Sequence, residues 1–112
     1  IEAGGVQWMS AAGGIEHSEM PEQQDGLLAG FQLWVNLPAA RKMDPPRYQE
    51  LEPGQIPQEQ HDNGVTVRVV AGRTARGTAG AVSEVAVQPL YLDVMLPAGA
   101  DYAEQVPMGH NG

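Results

Sequence analysis

Glycine and proline divide this sequence into segments that are too short for long helices. The 112 residues include 14 glycines and 9 prolines, and several of the runs between them alternate apolar with polar residues. Alternation with a period of two is typical of half-buried β-strands, and Gly and Pro mark the turns that join short strands. The pattern therefore predicts an all-β fold of short antiparallel strands.

Three runs carry the alternation most clearly. Residues 4–10 ("GGVQWMS"), 31–38 ("FQLWVNLP") and 65–72 ("VTVRVVAG") are each predicted to form a strand. The run 31–38 is the clearest, because its residues divide between two faces. Phe31, Leu33, Val35 and Leu37 share one face, and Gln32, Trp34 and Asn36 share the other. These runs favour a β-sandwich or a small β-barrel.

The segments between these runs are less regular. Residues 84–107 contain two further strand-like pieces, one before Pro89 and one after it. Residues 39–64 are rich in proline and lack a period, so we interpret them as a long connection, and polar turns are predicted at residues 22–26 and at "NG" (63–64). With so few strands, the chain is expected to form part of a barrel whose open edges need to be covered.

Composition excludes several classes of function. Six basic residues stand against 14 acidic ones, for a formal net charge of −8, which disfavours direct binding to nucleic acid. The absence of cysteine excludes disulfides, thiolate metal sites and a Cys nucleophile, and it fits a reducing, cytoplasmic location. No apolar run approaches the roughly 20 residues that span a bilayer.

The most informative polar motif follows the first predicted strand. Gly13 and Gly14 predict a tight turn, after which "IEHSEMP" places His17 two residues before Glu19. The two glycines fit a β-bulge as well as a tight turn. In an extended chain, residues i and i+2 point to the same side, so the two side chains can reach toward one point. Imidazole nitrogen and carboxylate oxygen are the ligand types of non-haem Fe(II) and Mn(II) sites.

Two ligands do not hold a metal tightly, and a mononuclear site needs a third or fourth protein ligand. A His-x-Glu spacing also arises often by chance, so the alternative interpretation of this pair is an exposed ion pair. The other two histidines give weaker signals. His61 is expected to be solvated in a polar loop, and His110 is expected to have a turn or capping role.

Four segments together resemble the pirin family of bicupin proteins, and the resemblance runs across nearly the whole chain. The first two are long and specific, whereas the last two are shorter. The segments are "VQWMSAAGGIEHSEMP" (6–21), "GFQLWVNLPAARKMDPPRYQEL" (30–51), "GVTVRVVAG" (64–72) and "LYLDVMLPAGA" (90–100).

The resemblance implies two cupin β-barrels of the jelly-roll type in one chain. Residues 1–89 would form the second half of the N-terminal cupin domain with its Pro-rich connection, and residues 90–112 would begin the C-terminal cupin domain. In the family, the N-terminal barrel binds a divalent metal, with Fe(II) as the expected ion, through three histidines and one glutamate. His17 and Glu19 fall on the His-x-Glu part of that set. The other two histidines belong to an upstream His-x-His motif that these 112 residues do not contain.

The family also implies two kinds of function. Members similar to quercetin 2,3-dioxygenase open a flavonol ring with O₂ and release carbon monoxide, and Glu19 would then serve both as a ligand and as the catalytic base. Other members are regulators that bind a transcription factor or a metabolic enzyme. For the 112 residues alone, a third expectation is an inactive, metal-free fragment that self-associates through open strand edges. Within the match, the chain departs from the family at Gly13, where arginine is common, and at Glu16, where an aliphatic residue is common.

Overall fold

The computed structural model describes residues 1–20 and 25–111, and its regular structure is almost entirely antiparallel β-strand. Two short 3₁₀ turns, Ala39–Arg41 and Pro53–Gln55, are the remaining regular elements of the described residues. The all-β prediction is therefore confirmed. Among the described residues there is no helix with the length and apolar character that a membrane span requires. Residues 22–24 of the turn predicted at 22–26 lie outside the described residues.

The described chain divides into two compact units. The first contains residues 1–53 and 84–87, and the second contains residues 54–83 and 88–112.

The first unit is built on a two-stranded antiparallel sheet. Strand β1 (Val6–Ser10) pairs with strand β2 (Arg47–Leu51), with Val6 opposite Leu51 and Ser10 opposite Arg47. The strand predicted over 4–10 is confirmed. Arg47 continues the contacts beyond the sheet, because its guanidinium lies 2.6 Å from a carboxylate oxygen of Glu84.

The strand predicted over 31–38 is wrong, since this segment forms no regular strand. Most of its apolar side chains are exposed, and Phe31 and Trp34 keep 97% and 86% of their accessible surface. Alternation shows only that a segment could bury one face, whereas a strand also needs a neighbour whose backbone groups complete the ladder. None of the described residues supplies that neighbour to residues 31–38.

The second unit contains a three-stranded antiparallel sheet. Its strands are β3 (Gln58–Gln60), β4 (Thr66–Ala71) and β5 (Tyr91–Met95), and β4 lies between the other two. The strand predicted over 65–72 is confirmed. The turn predicted at 63–64 is also confirmed, because the N–H of Gly64 donates to the carbonyl oxygen of His61 at 3.0 Å.

The core of the second unit explains why β4 alternates. Val65, Val67 and Val69 are fully buried, so every second residue from position 65 faces the core. Four partly buried side chains pack against these valines: Leu92, Val94, Ala100 and Tyr102. Burial of a valine side chain contributes about 1.5–3 kcal/mol, and this valine row therefore supplies much of the stabilisation of the unit.

Two further assignments are corrected. The interpretation of residues 39–64 as an irregular connection was wrong, because they contain β2 and β3. Strand β2 is polar and half-exposed, so it lacks an apolar alternation that could be recognised. The strand predicted before Pro89 was also wrong, because residues 84–89 form no strand. Glu84 has a φ of +51°, which is not compatible with an extended strand.

Candidate metal centre

The turn after β1 sets the path of the chain from the sheet to the His-x-Glu motif. The N–H of Gly14 donates to the carbonyl oxygen of Ala11 at 2.7 Å, and Gly14 has a φ of +129° that side chains rarely adopt. The N–H of Gly13 donates to the carbonyl oxygen of Asp44 at 3.1 Å. The predicted tight turn is therefore present, and it is tied to the segment that leads into β2.

The side chains of His17 and Glu19 approach each other beyond this turn. Their Nε2 and Oε1 atoms are 3.7 Å apart, and the side chains are 42% and 52% exposed. This separation is longer than a hydrogen bond, so the two donor atoms lie close together without being bonded to each other. The structure thus brings the two atoms toward one point, as the i, i+2 spacing predicts, and their role as metal ligands stays a prediction.

Gln32 adds a third side chain to this group. Its amide Nε2 donates to Oε1 of Glu19 at 3.1 Å and lies 3.4 Å from Oε2. The indole Nε1 of Trp34 donates in turn to Oε1 of Gln32 at 3.2 Å. A chain of hydrogen bonds therefore runs from the indole through the amide to the carboxylate. We call His17, Glu19, Gln32 and Trp34 the polar cluster of the first unit.

Gln32 and Trp34 were missed as site residues by sequence reasoning. A signal was present, because the alternation in 31–38 places them on the same face of the segment. Nothing local indicated that this face would meet a carboxylate that lies 13 positions earlier in the chain.

The chemistry of the donors fits part of a metal site. A neutral imidazole and an ionised carboxylate both offer lone pairs near neutral pH, and this pair suits a divalent first-row ion. Within residues 1–20 and 25–111, no group of three His, Cys, Asp or Glu side chains is arranged to hold an ion. The described residues thus supply two donors of a suitable type.

The second unit contains a separate buried polar cluster around Glu59. This carboxylate is 7% exposed, it accepts a hydrogen bond from the hydroxyl of Thr74, and its Oε2 lies 3.1 Å from Nε2 of His61. The imidazole of His61 also packs edge-on against the ring of Tyr102, with ring centroids 5.5 Å apart. The expectation that His61 is a solvated loop residue was therefore wrong, because a carboxylate and an aromatic ring both hold it.

The pKa directions in this second cluster follow from burial and hydrogen bonding. Burial acts to raise the pKa of Glu59, but hydrogen bonds from Thr74, Thr78 and His61 outweigh burial and leave the pKa below its ordinary value. Burial raises the pKa of Tyr102, and the hydrogen bond to Glu104 raises it further. The Tyr102 hydroxyl donates to Glu104 at 2.6 Å. At neutral pH the cluster is held by an ionised Glu59 and a neutral Tyr102.

His110 lies in a turn, as the sequence indicates. Its backbone N–H donates to the carbonyl oxygen of Pro107 at 3.2 Å, and its ring Nε2 donates to the carbonyl oxygen of Gln88 at 2.7 Å. These contacts fasten the end of the chain to the segment before β5.

Comparisons with known proteins point to one family. The profile of the family described as Pirin matches residues 1–35. The chain is 58% identical over 106 residues to the "Pirin-like protein" of Caulobacter vibrioides, which is 95% of this chain and 38% of that protein. It is 50% identical over 113 residues to "Putative quercetin 2,3-dioxygenase" of Pseudomonas aeruginosa, which is 98% of this chain and 40% of that protein.

A more distant relative also carries the name Pirin. The chain is 43% identical over 111 residues to human "Pirin", covering 97% of this chain and 36% of that protein. The chain therefore spans 36% to 40% of the length of these three relatives. No solved structure matches it. With nearly its whole length aligned to these relatives, and with the "EHSEMP" and "QLWVNLP" motifs that suggested the resemblance, the chain belongs to the pirin family.

Proposed function

We propose that this chain contributes His17 and Glu19 to the divalent-metal site of a pirin-type cupin protein, and that the natural full-length protein has activity of the quercetin 2,3-dioxygenase type. The observation that carries the proposal is the approach of the His17 imidazole and the Glu19 carboxylate to 3.7 Å. The name carried by the Pseudomonas aeruginosa relative supports the reaction class. The expected ion is Fe(II), because the imidazole and carboxylate donors suit it.

Each side chain has a distinct task in this proposal. His17 offers a neutral nitrogen lone pair, and Glu19 offers a carboxylate oxygen. A divalent ion held by these residues would act as a Lewis acid toward the substrate. Glu19 would also accept the proton of the flavonol 3-hydroxyl, since a carboxylate within hydrogen-bond reach of that hydroxyl can act as a general base. Loss of this proton would give the flavonolate, an enolate-type anion that is the electron-rich form of the substrate and reacts with O₂.

The proposal extends to domain organisation and location. Residues 1–89 would belong to the N-terminal cupin domain with its Pro-rich connection, and residues 90–112 would begin the C-terminal cupin domain. The cytoplasm is the expected compartment, and the absence of cysteine supports it.

Turnover of quercetin by the natural full-length protein tests this proposal. The protein is loaded with Fe(II) under anaerobic conditions, exposed to O₂, and assayed for loss of quercetin absorbance and for carbon monoxide. We expect turnover in the wild type and its loss in His17→Ala and Glu19→Gln. His110→Ala is the matched control, because His110 is exposed and bonded to Gln88. An Fe(II)-loaded wild type that leaves quercetin intact contradicts the dioxygenase assignment.

A second candidate function, a non-enzymatic regulator, is favoured by a different observation. Phe31 and Trp34 are exposed, and the chain carries a net charge of −8. Exposed aromatic side chains on an acidic chain suit a contact with a basic protein surface, as in a transcription factor or a metabolic enzyme. Partner capture that is weakened by Phe31→Ser and unchanged by His17→Ala would favour this function over the enzyme. Self-association through strand edges would instead appear as a concentration-dependent mass in light scattering.

A further inference from the structure

Gln32 lies between two groups that can each form only one kind of hydrogen bond. An indole N–H is a donor only, and an ionised carboxylate is an acceptor only. The amide of Gln32 accepts from Trp34 with Oε1 at 3.2 Å and donates to Glu19 with Nε2 at 3.1 Å. A flipped amide would place its oxygen against the carboxylate and its NH₂ against the indole N–H, and both contacts would be repulsive. Trp34 and Glu19 therefore fix one orientation of the Gln32 amide.

The contact restricts the carboxylate in turn. Nε2 of Gln32 lies 3.1 Å from Oε1 of Glu19 and 3.4 Å from Oε2, so the NH₂ group faces both oxygens. The Glu19 side chain is 52% exposed, so burial does little to hold its rotamer. The amide therefore restrains the plane of the carboxylate, whose Oε1 also lies 3.7 Å from Nε2 of His17.

We infer that Gln32 is a positioning residue for Glu19, and that Trp34 acts through Gln32 by fixing the direction of its amide. The inference rests on the proposed function, because it concerns how Glu19 meets a metal ion. Hydrogen-bonded partners of metal ligands set ligand orientation, and their loss typically weakens metal affinity by about 10- to 100-fold. In this role Gln32 would act through the Glu19 carboxylate to which it donates, and not as a ligand itself.

The inference predicts a specific pattern of couplings. Gln32→Met keeps the length of the side chain and removes both hydrogen bonds. Trp34→Phe keeps an aromatic ring and removes only the indole N–H. If Trp34 acts through Gln32, the Trp34→Phe change weakens metal binding in the wild-type background and has no effect in the Gln32→Met background.

A double-mutant cycle on the natural full-length protein tests this pattern, with Mn(II) as the probe and its free concentration read by electron paramagnetic resonance. We expect Gln32→Met to raise the dissociation constant of Mn(II) by about tenfold. Trp34→Phe should raise it less, and the double variant should equal Gln32→Met. The Mn(II) spectrum of the bound ion should also change in Gln32→Met, which a change in stability alone would not produce.

Asn36→Leu provides the matched control. Asn36 lies on the same segment, but its side chain accepts from Lys42 at 2.7 Å rather than contacting Glu19. This variant should bind Mn(II) as the wild type does. Thermal unfolding of the wild type and of every variant checks that the fold is retained.

The outcomes separate the two proposals. A wild type that binds no Mn(II) overturns the proposed metal site and the positioning role with it. A wild type that binds Mn(II) and loses it in His17→Ala, while Gln32→Met binds equally well, overturns the positioning role alone. Additive effects of Gln32→Met and Trp34→Phe overturn the claim that Trp34 acts through Gln32.

Discussion

The hydroxyl of Thr74 donates a hydrogen bond to the buried carboxylate of Glu59, across 15 positions of sequence. Thr74 is 4% exposed and Glu59 is 7% exposed, so water does not readily replace either partner. The contact joins β3 to the loop that follows β4. It gives this loop, which is rich in Gly, Ala and Thr, a fixed place in the second unit.

Removal of the Thr74 hydroxyl should destabilise the second unit. Thr74→Val keeps the shape of the side chain, removes one donor from the buried carboxylate of Glu59, and removes the oxygen that accepts from the N–H of Thr78 at 3.2 Å. These losses should lower the free energy of unfolding by about 1–3 kcal/mol. Urea unfolding followed by circular dichroism measures the change. Thr66→Val is the matched control, because the Thr66 hydroxyl bonds the exposed Gln60 side chain, and its cost should stay below about 0.5 kcal/mol. Equal costs for the two variants would contradict the special role of Thr74.

Acid should weaken the second unit through Glu59. The pKa of Glu59 is lowered in the folded chain from the ordinary value of 4.5, so the ionised carboxylate stabilises the fold above that pH. This contribution is complete near neutral pH and is lost as the pH falls below 4.5 through the lower folded pKa. The free energy of unfolding, measured from pH 7 to pH 3, should therefore fall in the acid range.

Glu59→Gln should remove this part of the acid dependence. The variant should have a lower free energy of unfolding than the wild type at neutral pH. This difference in free energy should become smaller as the pH falls. Asp62→Asn serves as the control, because Asp62 is exposed in the neighbouring turn and its variant should follow the wild-type curve. A gap between Glu59→Gln and the wild type that stays constant with pH would show that Glu59 does not contribute in this way.

A methyl group at Gly80 should be poorly tolerated. A Cβ added there would lie 2.6 Å from the Cα of Ala71 and 2.7 Å from its backbone nitrogen, and backbone atoms cannot move away as a flexible side chain can. Gly80→Ala should therefore lower the free energy of unfolding by about 1–3 kcal/mol, as overpacking does elsewhere. Gly54→Ala is the matched control, since a Cβ at Gly54 would meet nothing within 4 Å. Comparable thermal midpoints for both variants would contradict the close approach at Gly80.

The predictable part of the fold was the part that buries a regular apolar row. In β4, alternate valines face the core, and their period of two is visible in the sequence. Strand β2 was missed because it consists mostly of polar, half-exposed residues whose place depends on pairing with β1. Residues 31–38 show the opposite case, because a clear alternation does not supply the neighbouring strand that a ladder requires.

The same contrast holds for the polar groups. The spacing of His17 and Glu19 was enough to predict that they lie together, because side chains two positions apart in an extended chain point to the same side. Gln32 and Glu59 could not be assigned in that way. Their partners, Glu19 and Thr74, lie 13 and 15 positions away, and only the folded chain brings them together.

Metal content of the natural full-length protein tests the central claim most directly. The wild type, His17→Ala, Glu19→Ala and the control His110→Ala are each equilibrated with Fe(II), passed through a desalting column under anaerobic conditions, and analysed for iron by mass spectrometry. The account predicts about one iron per chain in the wild type and the control, and a large loss of iron in both site variants. Equal iron in the wild type and the two site variants, or no retained iron in any of them, would contradict it.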